Sequence, residues 1–131
     1  MHPPEKTDSE LLARWRAVNA GVRAAEQAAG RPERSVNLLA VSKLHSAQAV
    51  RTLHEAGQTA FGENYVQEAL DKMAALADLP LQWHLIGPLQ SNKTQQVAGH
   101  FDWVHSVDRL KIAQRLSAQR PAHLLPLQIC L

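Results

Sequence analysis

The stretch Val36-Asn37-Leu38-Leu39-Ala40-Val41-Ser42-Lys43 decides how the rest of the chain is read. Its first six residues form a short, nearly continuous apolar run, the pattern of a strand buried on both faces of a parallel sheet. Polarity returns abruptly with Ser42-Lys43 at the carboxyl end. Upstream, Thr7 and Glu10 are spaced as a capping box, and Leu11, Trp15, Val18, Val22, Ala25 and Ala29 recur at helical steps. That predicts a long amphipathic helix over 8–30, closed by Gly30-Arg31-Pro32, because glycine suits a left-handed cap and proline cannot continue the hydrogen bonding.

Downstream, Ser46 can cap a helix carrying Ala49, Val50, Leu53 and Ala56 to Gly57, and Thr59-Ala60-Phe61 follows as a short strand. The same reading gives helices at 64–77, 92–98 and 108–119 and strands at 81–86, 101–105 and 125–131. Strand-helix alternation with short loops requires parallel strands and right-handed crossovers, so the class is α/β. Both a five-stranded doubly wound sheet and a (β/α) barrel fit that alternation. Length favours the open sheet, since a complete barrel takes ~250 residues and seldom fewer than ~200. The last apolar run, however, reaches Leu131 with no turn or polar tail, as expected for a barrel truncated to about five of eight strands.

Composition narrows the function. The 14 Lys+Arg and 12 Asp+Glu are interspersed, for a formal charge of +2, and no basic stripe of the kind that nucleic-acid phosphates require is present. A nucleic-acid partner is not expected. The single cysteine, Cys130, reads as a buried small residue at a strand end, no stretch approaches the ~18 apolar residues of a membrane span, and a cytoplasmic protein is the expectation. The seven histidines show no H-x-x-x-H or C-x-x-C companion, so no metal site is expected.

In either architecture a ligand meets the carboxyl edge of the strands. Those edges read Ser42-Lys43, Gly62-Glu63-Asn64-Tyr65, Gly87-Pro88-Leu89-Gln90-Ser91-Asn92-Lys93 and Ser106-Val107-Asp108. No acidic magnesium cluster, G-x-G-x-x-G turn or G-x-S-x-G elbow occurs among them. Lys43 is either a solvated charge or an amine for carbonyl capture. A free lysine of pKa ~10.4 is almost wholly protonated at neutral pH, so capture needs a site that favours the neutral amine. His84 lies between Trp83 and Leu85 and must face the opposite side of its strand, as a hydrogen-bonded core residue or a proton-transfer group. Asn64 opens a helix beside Lys43 as a cap, a ligand contact or both. Ser91 reads as an N-cap whose helix start could hold an anion or simply end in water.

Taken together, Leu38-Leu39-Ala40-Val41-Ser42-Lys43, Phe61-Gly62-Glu63-Asn64-Tyr65-Val66-Gln67-Glu68 and Trp83-His84-Leu85-Ile86-Gly87-Pro88-Leu89-Gln90-Ser91-Asn92-Lys93 resemble the pyridoxal phosphate homeostasis protein family, in order and in register, from about Leu11 to Leu131. The resemblance implies a TIM-barrel-like domain over 1–131, with an extra helix at 8–30 and β/α units over 36–131, similar to the cofactor domain of alanine racemase. It implies that pyridoxal 5′-phosphate is held as an imine on Lys43, with Asn64, His84 and Ser106 lining the pocket. The family binds and buffers the cofactor, affecting vitamin B6 balance, and is regarded as lacking robust turnover. A racemase or lyase is the alternative, but two-base racemisation needs an acid/base opposite the lysine, contributed in alanine racemase by a tyrosine beyond the barrel, and the only tyrosine here, Tyr65, starts a helix on the same domain.

Two departures from the family pattern bear on that expectation. His45 and Ser46 stand where the family commonly has a second lysine followed by proline. The later phosphate-binding serine/glycine loop and the arginine beside the pyridine nitrogen have no counterpart in these residues, which would weaken the hold on a dianionic phosphate. A monomer is expected of the full-length form, whereas five strands with two open edges invite self-association.

Overall fold

A computed structural model describes residues 8–131. Five helices alternate with five strands: α1 (Asp8–Ala28), β1 (Ala40–Val41), α2 (Ala47–Glu55), β2 (Ala60–Glu63), α3 (Val66–Ala75), β3 (Gln82–Leu85), α4 (Thr94–His100), β4 (Trp103–Val104), α5 (Leu110–Gln119) and β5 (Gln128–Ile129). A single turn of 3₁₀ helix, Ser91–Lys93, leads into α4. Thr7 lies outside the described residues, so the capping box has no structural account.

All neighbouring strands are parallel, and their order in the sheet is β1-β2-β3-β4-β5. This order decides between the two architectures. A doubly wound sheet reverses direction at a switch point, whereas a (β/α) barrel adds each strand on the same side of the last. The sheet is therefore TIM-barrel-like, with the helices on one face.

Register and the two-residue period of a strand separate the faces. Ala40, Phe61 and Trp83 are paired in one row, and Glu63, Leu85 and Val104 in another, and these rows turn toward the helices. With Val97, Phe101, Ile112 and Leu116 they make the buried core. Between them Val41, Gly62, His84, Trp103 and Gln128 form a row on the opposite, barrel-inner face.

Several elements differ from the sequence expectation, each for a visible reason. β1 is two residues long instead of six, because the side-chain amide of Gln58 donates to the Leu38 carbonyl at 2.6 Å and to the Ala60 carbonyl at 2.8 Å, replacing ladder bonds. Nor is β1 buried on both faces: it is an edge strand, and Val41 is exposed on the inner face. β4 begins at Trp103 because the Asp102 carboxylate takes the Trp83 N–H at 2.8 Å, while Phe101 closes α4. Ser91 does not cap a helix. Its carbonyl accepts the Thr94 hydroxyl at 3.1 Å and an Arg115 N–H at 2.9 Å. Ser46 caps α2 as expected, accepting the Ala49 N–H at 3.1 Å.

The N-terminal helix closes as predicted, with Gly30 at φ +68 and the Arg31 N–H returning to the Glu26 carbonyl at 2.9 Å. Its packed face is rotated from the predicted stripe. Leu11, Trp15, Asn19 and Val22 are half-buried, Val18, Ala25 and Ala29 are exposed, and the one buried residue is Glu26. The Glu26 carboxylate accepts the N–H groups of Arg34 and Val36, at 3.2 and 2.7 Å, so the helix is fixed by a polar contact to the chain that enters β1. Cys130 is half-buried and unpaired, not the fully buried residue expected. No helix among the described residues is long and apolar enough to cross a membrane.

Candidate functional site

The site is built from the turn that follows β1. The Ser42 N–H continues the ladder to the Gly62 carbonyl at 2.9 Å, and the His45 N–H closes a β-turn on the Ser42 carbonyl at 3.0 Å. Leu44, third in the turn, has φ +65, a left-handed conformation that such turns usually assign to glycine or asparagine. Lys43, second in the turn, is exposed and makes no ion pair with any described residue.

Beneath that turn lies a charged cluster that the sequence reading missed. The Lys72 ammonium donates to the Ser42 carbonyl at 2.6 Å, to Glu63 Oε1 at 2.7 Å and to Glu68 Oε1 at 2.8 Å. Glu63 is wholly buried, Lys72 is 7% exposed, and Ser42 donates its hydroxyl to Glu63 Oε1 at 3.2 Å. Glu68 Oε1 also accepts the Leu44 N–H. The hydrogen bond from Lys72 holds the Glu68 carboxyl below its ordinary value of 4.5, against the upward push of burial and with help from Leu44. An ion pair this buried is costly unless further hydrogen bonds satisfy its members; the Ser42 carbonyl serves Lys72 and the Ser42 hydroxyl serves Glu63 Oε1, while Glu63 Oε2 is buried without a partner.

Asn64 follows β2 directly. It is not the cap of α3, a place taken by Tyr65, and its Oδ1 is buried with no hydrogen-bond partner. Gly87, after β3, packs against it so closely that an added Cβ would lie 2.5 Å from the Asn64 carbonyl oxygen. The Ser106 hydroxyl, after β4, donates to the Gly87 carbonyl at 2.7 Å. Ser106, Gly87 and Asn64 thus link the carboxyl ends of three strands, and Lys43 stands at the fourth.

His84 is placed differently. It lies inside β3, one residue before the strand's end, on the inner face that its neighbours Trp83 and Leu85 leave. The imidazole stacks on the Trp103 indole at 5.4 Å between centroids and 3° between planes. Its Nε2 is 2.9 Å from Gln82 Oε1, and its Nδ1 is 2.8 Å from His105 Nε2. An amide oxygen only accepts, so His84 carries a proton on Nε2, and in the neutral ring Nδ1 accepts from His105 Nε2. Burial first, and the nearby His105 second, lower the His84 pKa from 6.5 to about 4. His84 is therefore neutral at neutral pH.

Strands about 4.8 Å apart put β3 about 10 Å across the sheet from β1. The four predicted residues accordingly do not converge on one point. Lys43 and Asn64 are on adjacent strand ends, Ser106 closes the far side, and His84 lies one layer deeper. His105 is the partner that sequence reasoning did not single out. No group of three or more His, Cys, Asp or Glu among the described residues could hold a metal ion.

Residues 15–131 match the family described as alanine racemase, N-terminal domain. The chain is 68% identical over 114 residues to the pyridoxal phosphate homeostasis protein of Pseudomonas aeruginosa, covering 87% of this chain and 50% of that protein. It is 53% identical over 116 residues to the protein of the same name from Vibrio alginolyticus, covering 86% and 50%. Among solved structures, that of PipY from Synechococcus elongatus with pyridoxal phosphate bound superposes with a TM-score of 0.67 at 46% identity, covering 86% of this chain and 48% of that one. The chain thus spans about half the length of the curated relatives it matches. It belongs to the alanine racemase N-terminal domain family.

Proposed function

We propose that this chain carries the Lys43-bearing part of a site for pyridoxal 5′-phosphate, in a protein that holds and balances the cofactor without robust turnover. The observation that carries the reading is the exposed primary amine of Lys43 at the carboxyl end of β1, on a turn gripped from below by Lys72 and Glu68. The PipY structure at 46% identity holds the same cofactor, which supports it. The residues present fit the group. Asn64 Oδ1 is a buried acceptor that lacks a donor, and the close packing of Gly87 on the Asn64 backbone holds that residue in place at the rim.

The cofactor supplies an aldehyde carbon that a neutral primary amine attacks, with loss of water. Lys43 provides that amine. Asn64 can orient a donor on the ligand, and Ser106 keeps two lone pairs to accept once its proton is committed to Gly87. His84, locked as the neutral tautomer, keeps a positive charge off the inner face. Tyr65, 55% exposed at the start of α3, is not placed as a second acid/base opposite Lys43.

Titration with pyridoxal phosphate, followed by its visible absorbance, tests the reading. One saturable equivalent, lost in Lys43→Ala, is expected, and amino acids added to the loaded protein should give no product. An identical titration in Lys43→Ala would remove Lys43 from the site, and steady product formation would replace the carrier with an enzyme.

A further inference from the structure

We infer that Glu68 and Lys72, on α3, are positioning residues for Lys43, fixing where its amine points; the inference rests on the assignment of Lys43 to cofactor capture. A side chain leaves the backbone at its Cα, and its direction there is set by the two peptide units on either side. Both units around Lys43 are held by the same cluster. The carbonyl of the preceding unit, from Ser42, accepts from Lys72 Nζ at 2.6 Å, and the N–H of the following unit, on Leu44, donates to Glu68 Oε1. Fixing both planes fixes φ and ψ of Lys43 together.

The cluster itself cannot drift. Lys72 and Glu68 stand one helical turn apart on α3 and are joined at 2.8 Å, and Lys72 is tied at 2.7 Å to Glu63, which is wholly buried at the end of β2. The backbone bears the mark of this restraint. Leu44 sits at φ +65, where leucine is rarely found, and such a conformation persists only when its surroundings over-determine it. The Leu44 side chain, 79% exposed, gains no burial that would account for it. Besides the turn's own bond from His45 N–H to the Ser42 carbonyl, the contact that holds it is the bond to Glu68.

Glu68 gives the test, because its side chain is a quarter exposed and its removal leaves the buried Glu63–Lys72 pair in place. The protein and its variants are treated with pyridoxal phosphate and borohydride well below their melting temperatures. Peptide mass spectrometry then reads the share of adduct on Lys43 against that on Lys93 and Lys111, and thermal melts run alongside. Glu68→Ala should cut the Lys43 share several-fold, toward that of the other two lysines. Glu68→Gln should restore it, since an amide oxygen accepts from both Lys72 and Leu44. Should Glu68→Ala not fold, Glu68→Asp, with its acceptor drawn back by one methylene, is expected to show the same fall. A Lys43 share unchanged in the folded variants, with only the melts lowered, would make the cluster purely structural and overturn the inference. An even spread in the unaltered protein would instead remove the assignment of Lys43 itself, and this inference with it.

Discussion

His84 shows how one buried residue couples the inner face to pH. Its folded-state pKa of about 4 lies below the ordinary 6.5, so between those values the unfolded chain binds the proton that the folded chain refuses. Stability must then rise with pH across that window, and it is lost as pH falls from about 6.5 toward about 4. Glu68, also held below its usual 4.5, adds a further loss at lower pH as its carboxylate is protonated. Urea denaturation across this range should therefore show a decline that His84→Gln flattens above about pH 4.5, and an unaltered slope in that variant would contradict the assignment of a neutral His84. At this scale the sequence was legible in placement: Lys43 stands after β1, and His84 takes the face opposite its two apolar neighbours. It was silent on Lys72. A Glu68/Lys72 pair one turn apart looks the same on a solvated helix face, and only the packing of α3 over the end of β2 buries it. His105 was hidden likewise, because its bond to His84 crosses between strands.

Between elements, Gln58 joins more of the molecule than its position in a loop announces. Buried after α2, it donates to the carbonyls of Leu38 and Ala60 and accepts the Trp15 indole N–H at 2.9 Å, tying α1 to the entrance of β1 and to β2. Removing it strands an indole donor and two carbonyls. Gln58→Ala should cost about 1–3 kcal/mol of unfolding free energy, the scale of a buried polar group left unpaired, and a change within 0.5 kcal/mol, about the effect of a surface substitution, would show that water replaces it. The same residue explains why strand lengths were poorly legible. Apolar runs mark where strands can form, but the ladder stops where a side chain such as Gln58 or Asp102 takes over a backbone group. Helix starts were clearer where a side chain caps, as at Ser46, than at Tyr65 or Gln90, which cap nothing.

For the whole molecule, alternation of strands and helices was enough to give a parallel α/β sheet, yet not the order of its strands, which depends on contacts between distant segments. The observed order, advancing from β1 to β5 without reversal, places every carboxyl end on one rim and gives Lys43, Asn64 and Ser106 a common edge. The proposed function requires this rim to present one lysine to the aldehyde of pyridoxal phosphate. Reduction of the mixture with borohydride and mapping of the modified peptide, with Lys43→Ala as control, shows whether it does. A single adduct on Lys43, absent from the variant, is the predicted result. Label distributed alike over Lys43, Lys93 and Lys111 would contradict it.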